Sequence, residues 1–396
     1  MAEAVALVKN SIFKARVPIV KPVLPEIGDL AQELGDILQS GILSKGATLG
    51  RFEDEIAAHL GVKHAVGVSS CTTGLMLTYQ ACGLTGDVVV PSFTFMATVS
   101  ALRWAGLRPI FADVDAKTTN LDPVAAEEAI TPQTQAIVAV HNSGNPAEID
   151  ALELVARKHG IRLIFDSAHG FGSLYQGRAL GPQGDASVFS LSATKLLVAG
   201  EGGIVATNDD EIAGRVRIGR EFGNCGNYDS VHPGLNARMT EFNALLGRHG
   251  LRNLEAAALH RNRIATLYRQ KLSGLPGVRF QQVKSGNRSS CKDFSVMIDA
   301  DAFGLTRNEL SDALAAENIE TRKYYDPPVH LQRAYEKFAR PGQKLPNTDL
   351  LASSILSLPM WSDMDASVVS GICLAIEKAL ESGEVNRAEV QQGALV

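Results

Sequence analysis

Cysteine is scarce in this chain, with five residues (71, 82, 225, 291 and 373) in 396. None forms a CxxC pair or a Cys/His spacing suited to zinc, so reduced thiols and no metal site are expected. There is no excess of positive charge either. Lys and Arg number 38 against 43 Asp and Glu, a formal net charge of −5. No broad basic field exists to hold nucleic acid or an anionic membrane surface. No segment reaches the ~18–20 uninterrupted apolar residues of a membrane span. The opening stretch, MAEAVALVKNSIFKARVPIVKPVLPEIGDL, is broken by Lys9 and Asn10 and lacks the long apolar region of a signal peptide. Internal repeats and low-complexity linkers are also missing. The expectation is a cytoplasmic protein with no nucleic-acid and no membrane partner, holding any anionic substrate by a few local charges.

What is present is an ordinary globular composition, 45% hydrophobic and 20% charged, in a length that suits two domains. Thirty-six glycines sit mostly at the ends of apolar runs, as in α/β proteins where each strand ends in a tight turn. Helical periodicity covers residues 26–60, interrupted by the loop SKGATLG. Strand and helix patterns then alternate: HAVGVSS, a helix from Cys71 to Gly83, DVVVPSFTF, Met96–Ala105, RPIFADVD, DPVAAEEAI, AIVAVH, EIDALELVARKHG and RLIFDSAH, followed by SVFSLS and GIVATND. Short, uniformly apolar strands separated by helices predict a parallel sheet buried on both faces. In such sheets ligands lie beyond the carboxyl ends of the strands. From about Glu241 a long helical stretch to Leu272 leads to VRF, DFSVMID, RNELSDALAAENI and the Pro-rich YYDPPVH, which predicts a smaller α+β domain. The expected division is residues 1–250 for the N-terminal segment and large domain, and 251–396 for the small one.

Lys195, in SLSATKLLVAGEGG, stands between a strand and a Gly-rich turn in an apolar setting, the place of a Schiff-base lysine. Asp166 ends the strand RLIF, where an acid is costly unless paired with a positive group. A pyridinium nitrogen is one such partner, and Lys with Asp is the pyridoxal phosphate (PLP) arrangement. SSCTTG (69–74) supplies hydroxyls and helix N-terminal N–H groups for a phosphate. Ser190 and Ser192 offer hydroxyls to the same anion. Phe93 or Phe95 offers an apolar face for a ring. His169, read as one helical turn from Asp166, lies near the ring or buttresses the acid.

The order cradle, aromatic, Asp, Ser, Lys, Gly-rich turn resembles the aspartate aminotransferase superfamily, and in detail the DegT-type sugar-nucleotide aminotransferases, or StrS family. The resemblance is carried by GRFEDEIAAHLGVKHAVGVSSCTTGL, DVVVPSFTFMATVSALRWAGLRPIFADVD, IFDSAHGFGSLYQGRALG, FSLSATKLLVAGEGGIVATND, LNARMTEFNALLG, TRKYYDPPVH and ILSLPMWSDM. It implies an aspartate aminotransferase-like fold, with Lys195 carrying PLP and Asp166 on the pyridine nitrogen. His169 would lie close to the ring and Phe95 would stack on it. Cys71 and Thr72 would bind the phosphate through backbone N–H groups, and Ser190 through its hydroxyl. Asn236 would reach the phosphate from the neighbouring subunit of a homodimer. Two positions depart from the family: Cys71 stands where glycine is usual, and Ser192 where many members carry His. Relatives that dehydrate a ketosugar have His in place of the lysine, and this chain keeps Lys195.

The implied reaction moves an amino group from an amino acid, glutamate in the family's usual case, to a ketosugar on a nucleoside diphosphate. Alternatives are transamination of a keto-cyclitol or other non-nucleotide ketone, an aromatising PLP enzyme, a PLP-dependent dehydratase, or a non-catalytic PLP-binding regulator. Substrate contacts are sought at Lys45–Gly46, His141–Asn142, Arg220–Tyr228, Lys323–His330 and Arg238.

Overall fold

Runs such as Val88-Val89-Val90 have no polar face to give to water, so they form strands only where both sides are covered. A computed structural model describes residues 11–393 and shows that covering; residues 1–10 of the opening stretch lie outside it. Nine strands precede residue 210: β1 (His64–Val68), β2 (Asp87–Pro91), β3 (Arg108–Ala112), β4 (Thr134–Val140), β5 (Arg162–Asp166), the small hairpin β6 (Leu174–Tyr175) and β7 (Arg178–Ala179), β8 (Ala186–Ser190) and β9 (Gly203–Thr207). Seven of them form one sheet in the order β1-β9-β8-β5-β4-β2-β3. Neighbours from β8 to β3 are parallel, and β9 alone runs against both its neighbours. Successive residues of β4 go to opposite sides: Ile137 and Ala139 join one apolar core, Ala136 and Val138 the other. The mostly parallel α/β sheet is as the sequence predicts.

This topology gathers the functional ends of three strands on one edge. Asp166 at the end of β5 pairs in register with Val188 of β8, two residues before Ser190. Because β9 is antiparallel to both β8 and β1, β1 runs with β8, and its carboxyl end leads to Ser70 on the same edge. There Ser70 caps the helix Cys71–Ala81. Its hydroxyl accepts from the Thr73 N–H at 3.1 Å, and the Thr73 hydroxyl accepts from the Ser70 N–H at 3.1 Å. Such a capping box fixes where the first helical N–H groups point.

Beyond residue 241 the predicted single helix is two, Glu241–Arg252 and Leu254–Leu272, broken at Asn253. The break has a packing cause, since Leu254 belongs to the core under the large sheet and Ile264 to a separate core. That second core covers the antiparallel sheet β10 (Val278–Phe280), β11 (Phe294–Ile298) and β12 (Ile355–Leu358). The helices Arg307–Ala316 and Ala366–Gly393 close over it, contributing Leu310, Leu314, Val369 and Ile372. Residues just after the start fall within the 1–250 span by sequence order, and in space they touch this C-terminal core: Val17 pairs with Ile319 and donates its N–H to the Asn318 carbonyl at 2.8 Å. Among the described residues no helix is long and apolar enough to cross a membrane.

Candidate active site

At the shared strand edge, between the large sheet and the C-terminal core, lies a cavity of about 400 Å³. Of the eight residues to which the resemblance gives a cofactor role, seven line it, Cys71, Thr72, Phe95, Asp166, His169, Ser190 and Lys195, and Ser192 lines it as well. The eighth, Asn236, is exposed away from it, its amide oxygen accepting from Arg238 at 3.0 Å. Of the two candidate aromatics, Phe93 is buried in a small apolar cluster, edge-on to Tyr325 at 5.5 Å. Phe95 is half-exposed at the cavity wall.

Asp166 is buried at the end of β5. Its Oδ2 accepts from the Thr98 hydroxyl at 2.7 Å, and its Oδ1 from the Ala168 N–H at 3.1 Å. Among the described residues no Lys, Arg or His forms an ion pair with it. Burial therefore pushes its pKa up, against the lowering effect of the Thr98 and Ala168 hydrogen bonds. A cationic N–H placed before this carboxylate supplies what it lacks. His169 follows in a tight turn closed by the Gly170 N–H on the Ser167 carbonyl at 2.7 Å, not in a helix as the sequence suggested. Its Nδ1 is buried without a partner. Burial first, then the Lys195 and Lys292 charges, push the imidazole well below its ordinary range and keep it neutral.

Lys195 follows β8 on a tight turn, its N–H bonded to the Ser192 carbonyl at 2.9 Å. Its amine is pushed down to about 8, by burial first and the Lys292 ammonium second. That brings a lysine within reach of acting as a neutral nucleophile or base near physiological pH. Cys71 occupies the first turn of its helix and has no left-handed backbone, so replacing the usual glycine brings no strain. Its thiol lies 3.8 Å from Asp166 Oδ1, and burial followed by the Asp166 charge pushes its pKa well up, so it stays a neutral thiol. Capping leaves the Cys71 and Thr72 N–H groups pointing from the helix N-terminus. Gly203 of β9 comes so close that a Cβ there would lie 2.6 Å from the Cys71 nitrogen.

The donor set fits pyridoxal phosphate. It has an amine to carry it, an uncompensated buried carboxylate, an orphaned imidazole nitrogen, and a helix N-terminus with the Ser190 hydroxyl for the phosphate.

Several substrate candidates are occupied elsewhere. Arg220 is buried, bonded to Glu53 at 2.5 Å and to the Gly67 carbonyl at 2.6 Å. His141 is stacked on Phe165 at 4.9 Å, and its Nδ1 accepts from the Ala147 N–H. Lys45 reaches Glu221 at 3.3 Å. Of the Lys323–His330 segment, Tyr324 and Tyr325 do face the cavity. Sequence reasoning missed Thr98, Glu201, Lys292 and Asp293, which also line it. Thr98 had a signal, as it lies four residues after Thr94 and the two hydroxyls meet at 2.9 Å. Lys292-Asp293 had another, a pair of charges entering an apolar strand.

The chain is similar to known proteins over nearly its whole length. It is 35% identical to the spore coat polysaccharide biosynthesis protein SpsC of Bacillus subtilis, over 91% of this chain and 97% of that protein. Among solved structures, DesI, determined in the presence of its TDP-sugar product, superposes with a TM-score of 0.90 at 36% identity, covering 98% of this chain and all of that one. DesV of S. venezuelae, determined in complex with a ketimine intermediate, gives a TM-score of 0.85 at 32% identity over 93% of this chain and 99% of that one. Residues 26–377 match the DegT/DnrJ/EryC1/StrS aminotransferase family, and the chain belongs to that family of pyridoxal phosphate-dependent aminotransferases.

Proposed function

We propose that this aminotransferase moves the amino group of glutamate onto a ketosugar linked to a nucleoside diphosphate, as a cytoplasmic homodimer making aminodeoxy sugars for a polysaccharide. The observation that carries the reading is the convergence of Lys195, Asp166 and an open helix N-terminus on one cavity. Likeness to SpsC and DesI, one a spore coat polysaccharide biosynthesis protein and the other determined in the presence of its TDP-sugar product, supports a nucleotide-linked acceptor.

Pyridoxal phosphate, when bound, supplies an aldehyde that accepts the amino group and a ring that accepts the electrons of the donor's Cα–H bond. In this reading Lys195 anchors the cofactor, and its amine, once released, takes the Cα proton and later returns one to the acceptor carbon. Asp166 holds a proton on the pyridine nitrogen, and Thr98 fixes the carboxylate that does so. The Cys71 and Thr72 N–H groups and the Ser190 hydroxyl hold the phosphate, joined by Asn236 of the partner subunit. Phe95 covers one face of the ring and His169 stays neutral beside it. Over both halves the donor leaves as a 2-oxo acid and the acceptor carbonyl becomes an amine.

Two assays test the reading. Glutamate added to the holoenzyme should bleach the yellow cofactor band and release 2-oxoglutarate. The bleached enzyme should then regain its colour with TDP- or UDP-linked ketosugars, and mass spectrometry should find the aminated sugar nucleotide. Recovery only with free ketones or cyclitols overturns the nucleotide-linked acceptor. Loss of water from a sugar without consumption of glutamate overturns transamination of that sugar.

A further inference from the structure

Among the described residues lining the cavity, two carry an ammonium group, Lys195 and Lys292. Lys195 is committed to the cofactor in the reading above. An amino-acid donor brings at least one carboxylate into the same space, and a buried carboxylate needs a cation. We propose that Lys292 is the anion-binding residue of this cavity, receiving a carboxylate of the amino donor, with Asp293 holding its ammonium in place.

Lys292 is held there with unusual firmness for a lysine. Its N–H donates to the Ser143 carbonyl of the large domain at 3.1 Å. Its carbonyl accepts from Arg261 at 3.1 Å, and Arg261 is itself buried in the helix Leu254–Leu272. The backbone at this point is thus clamped from both sides of the cavity. The ammonium lies 2.7 Å from Asp293 Oδ1, with both side chains 8% exposed, and stands 5.6 Å over the Tyr324 ring. A buried ion pair is no better for stability than well-packed apolar side chains of the same volume. A Lys–Asp pair on a cavity wall therefore points to a ligand.

The geometry also explains the division of labour. An ammonium has three N–H donors and Asp293 takes one, leaving two for an incoming carboxylate. Asp293, 2.7 Å away, also fixes the ammonium in place on the cavity wall. With it, the cation stands ready before the donor arrives, so little reorganisation is needed on binding. The Lys292 charge already reaches the chemistry, adding to burial in lowering both Lys195 and His169.

The proposal rests on the reading of an amino-acid donor, and its test is built to separate the two. Glutarate, a dicarboxylate with no amine to transfer, is titrated into the holoenzyme while the cofactor band is followed, and thymidine diphosphate is titrated in parallel by calorimetry. Lys292→Gln should weaken glutarate at least about tenfold and raise the half-saturating glutamate concentration for bleaching by a similar factor, because two charge-assisted bonds are lost. Thymidine diphosphate binding should be unmoved. Lys292→Arg should recover part of the loss, and Asp293→Asn should weaken glutarate as well. Unchanged glutarate and glutamate half-saturation would overturn the proposal. A loss confined to thymidine diphosphate would overturn it too, by assigning the cation to the acceptor's phosphates. Should Lys292→Gln fail to fold, Lys292→Met, of similar length, carries the same comparison. Glutarate binding involves no acceptor, so a failure of the nucleotide-sugar reading leaves this result intact.

Discussion

Asp166 and Thr98 form the smallest unit in which cause and effect can be followed. Asp166→Asn keeps the shape and the Thr98 contact but removes the charge proposed to hold a proton on the pyridine nitrogen. The bleaching rate with glutamate, read by stopped flow, should fall by at least ~10²-fold while the cofactor stays bound, the scale of loss for a general acid–base contact. Thr98→Val removes one charge-assisted hydrogen bond of 2.7 Å, worth roughly 1.5–3 kcal/mol. It should slow bleaching by a smaller factor than Asp166→Asn, since the carboxylate stays charged and loses only the hydrogen bond that lowers its pKa. Lys195 sets a pH dependence of its own. A lysine lowered to about 8 is roughly one-tenth neutral at pH 7 and mostly neutral above pH 9. Because the neutral amine is the attacking form, the rate at which apoprotein turns yellow on adding cofactor should rise with pH and level off above about 8. A rate that keeps rising to the ordinary lysine range, around pH 10, would mean that burial does not act on this amine as the cavity geometry requires.

At the scale of elements, the legible part was whatever announces itself locally. Strand β5 with Asp166 at its end, the helix from Cys71 and the strand–turn carrying Lys195 all appear as apolar runs punctuated by Ser, Thr or Gly. What could not be read was decided by partners distant in sequence. The loop SKGATLG was expected to continue to residue 50, yet a helix starts at Ala47. It does so because Glu241 accepts from the N–H groups of Gly46, Thr48 and Leu49 at 2.9–3.2 Å. The break at Asn253 depends in the same way on which core each side faces, and Lys292 enters the cavity only because the C-terminal sheet docks there. Gly203 belongs to this class as well. In sequence it is one glycine in a Gly-rich turn, and in space it is the surface on which the N-terminal end of the Cys71 helix, proposed to hold the phosphate, rests. Gly203→Ala would put a methyl group 2.6 Å from the Cys71 nitrogen and the Ser70 carbonyl carbon, too close for backbone to tolerate. The helix end must shift, and cofactor affinity measured by equilibrium dialysis should drop about tenfold or more while far-ultraviolet dichroism stays native, as expected when ~1 Å misplacement spoils an anion site. Unaltered affinity would show that the Cys71 and Thr72 N–H groups do not hold the phosphate.

At the scale of the whole molecule, one protomer presents an incomplete list of the expected residues. Asn236 sits apart from the cavity of its own chain, on a segment whose neighbours Phe222, Tyr228 and Val231 are 50%, 99% and 57% exposed. Apolar side chains left this open are what a second copy would cover in the proposed homodimer. Burying them against a second copy, with Asn236 crossing to the other cavity, accounts for both observations at once. The consequence is testable without knowing the acceptor. In the proposed dimer Lys195→Ala would lack the anchor in each cavity, and Asn236→Asp would set a negative charge against the phosphate in each. Neither variant alone should bleach with glutamate at normal cofactor concentration. In a twofold-symmetric dimer with shared sites, a hybrid of the two places one native Lys195 opposite one native Asn236, and both changes fall on the other site. Mixing equal amounts under conditions that exchange subunits should therefore restore bleaching at about a quarter of the sites. If Asn236 instead served the cavity of its own chain, each hybrid cavity would carry one defect and no mixture would recover, so the amplitude of that recovery decides whose cavity Asn236 completes.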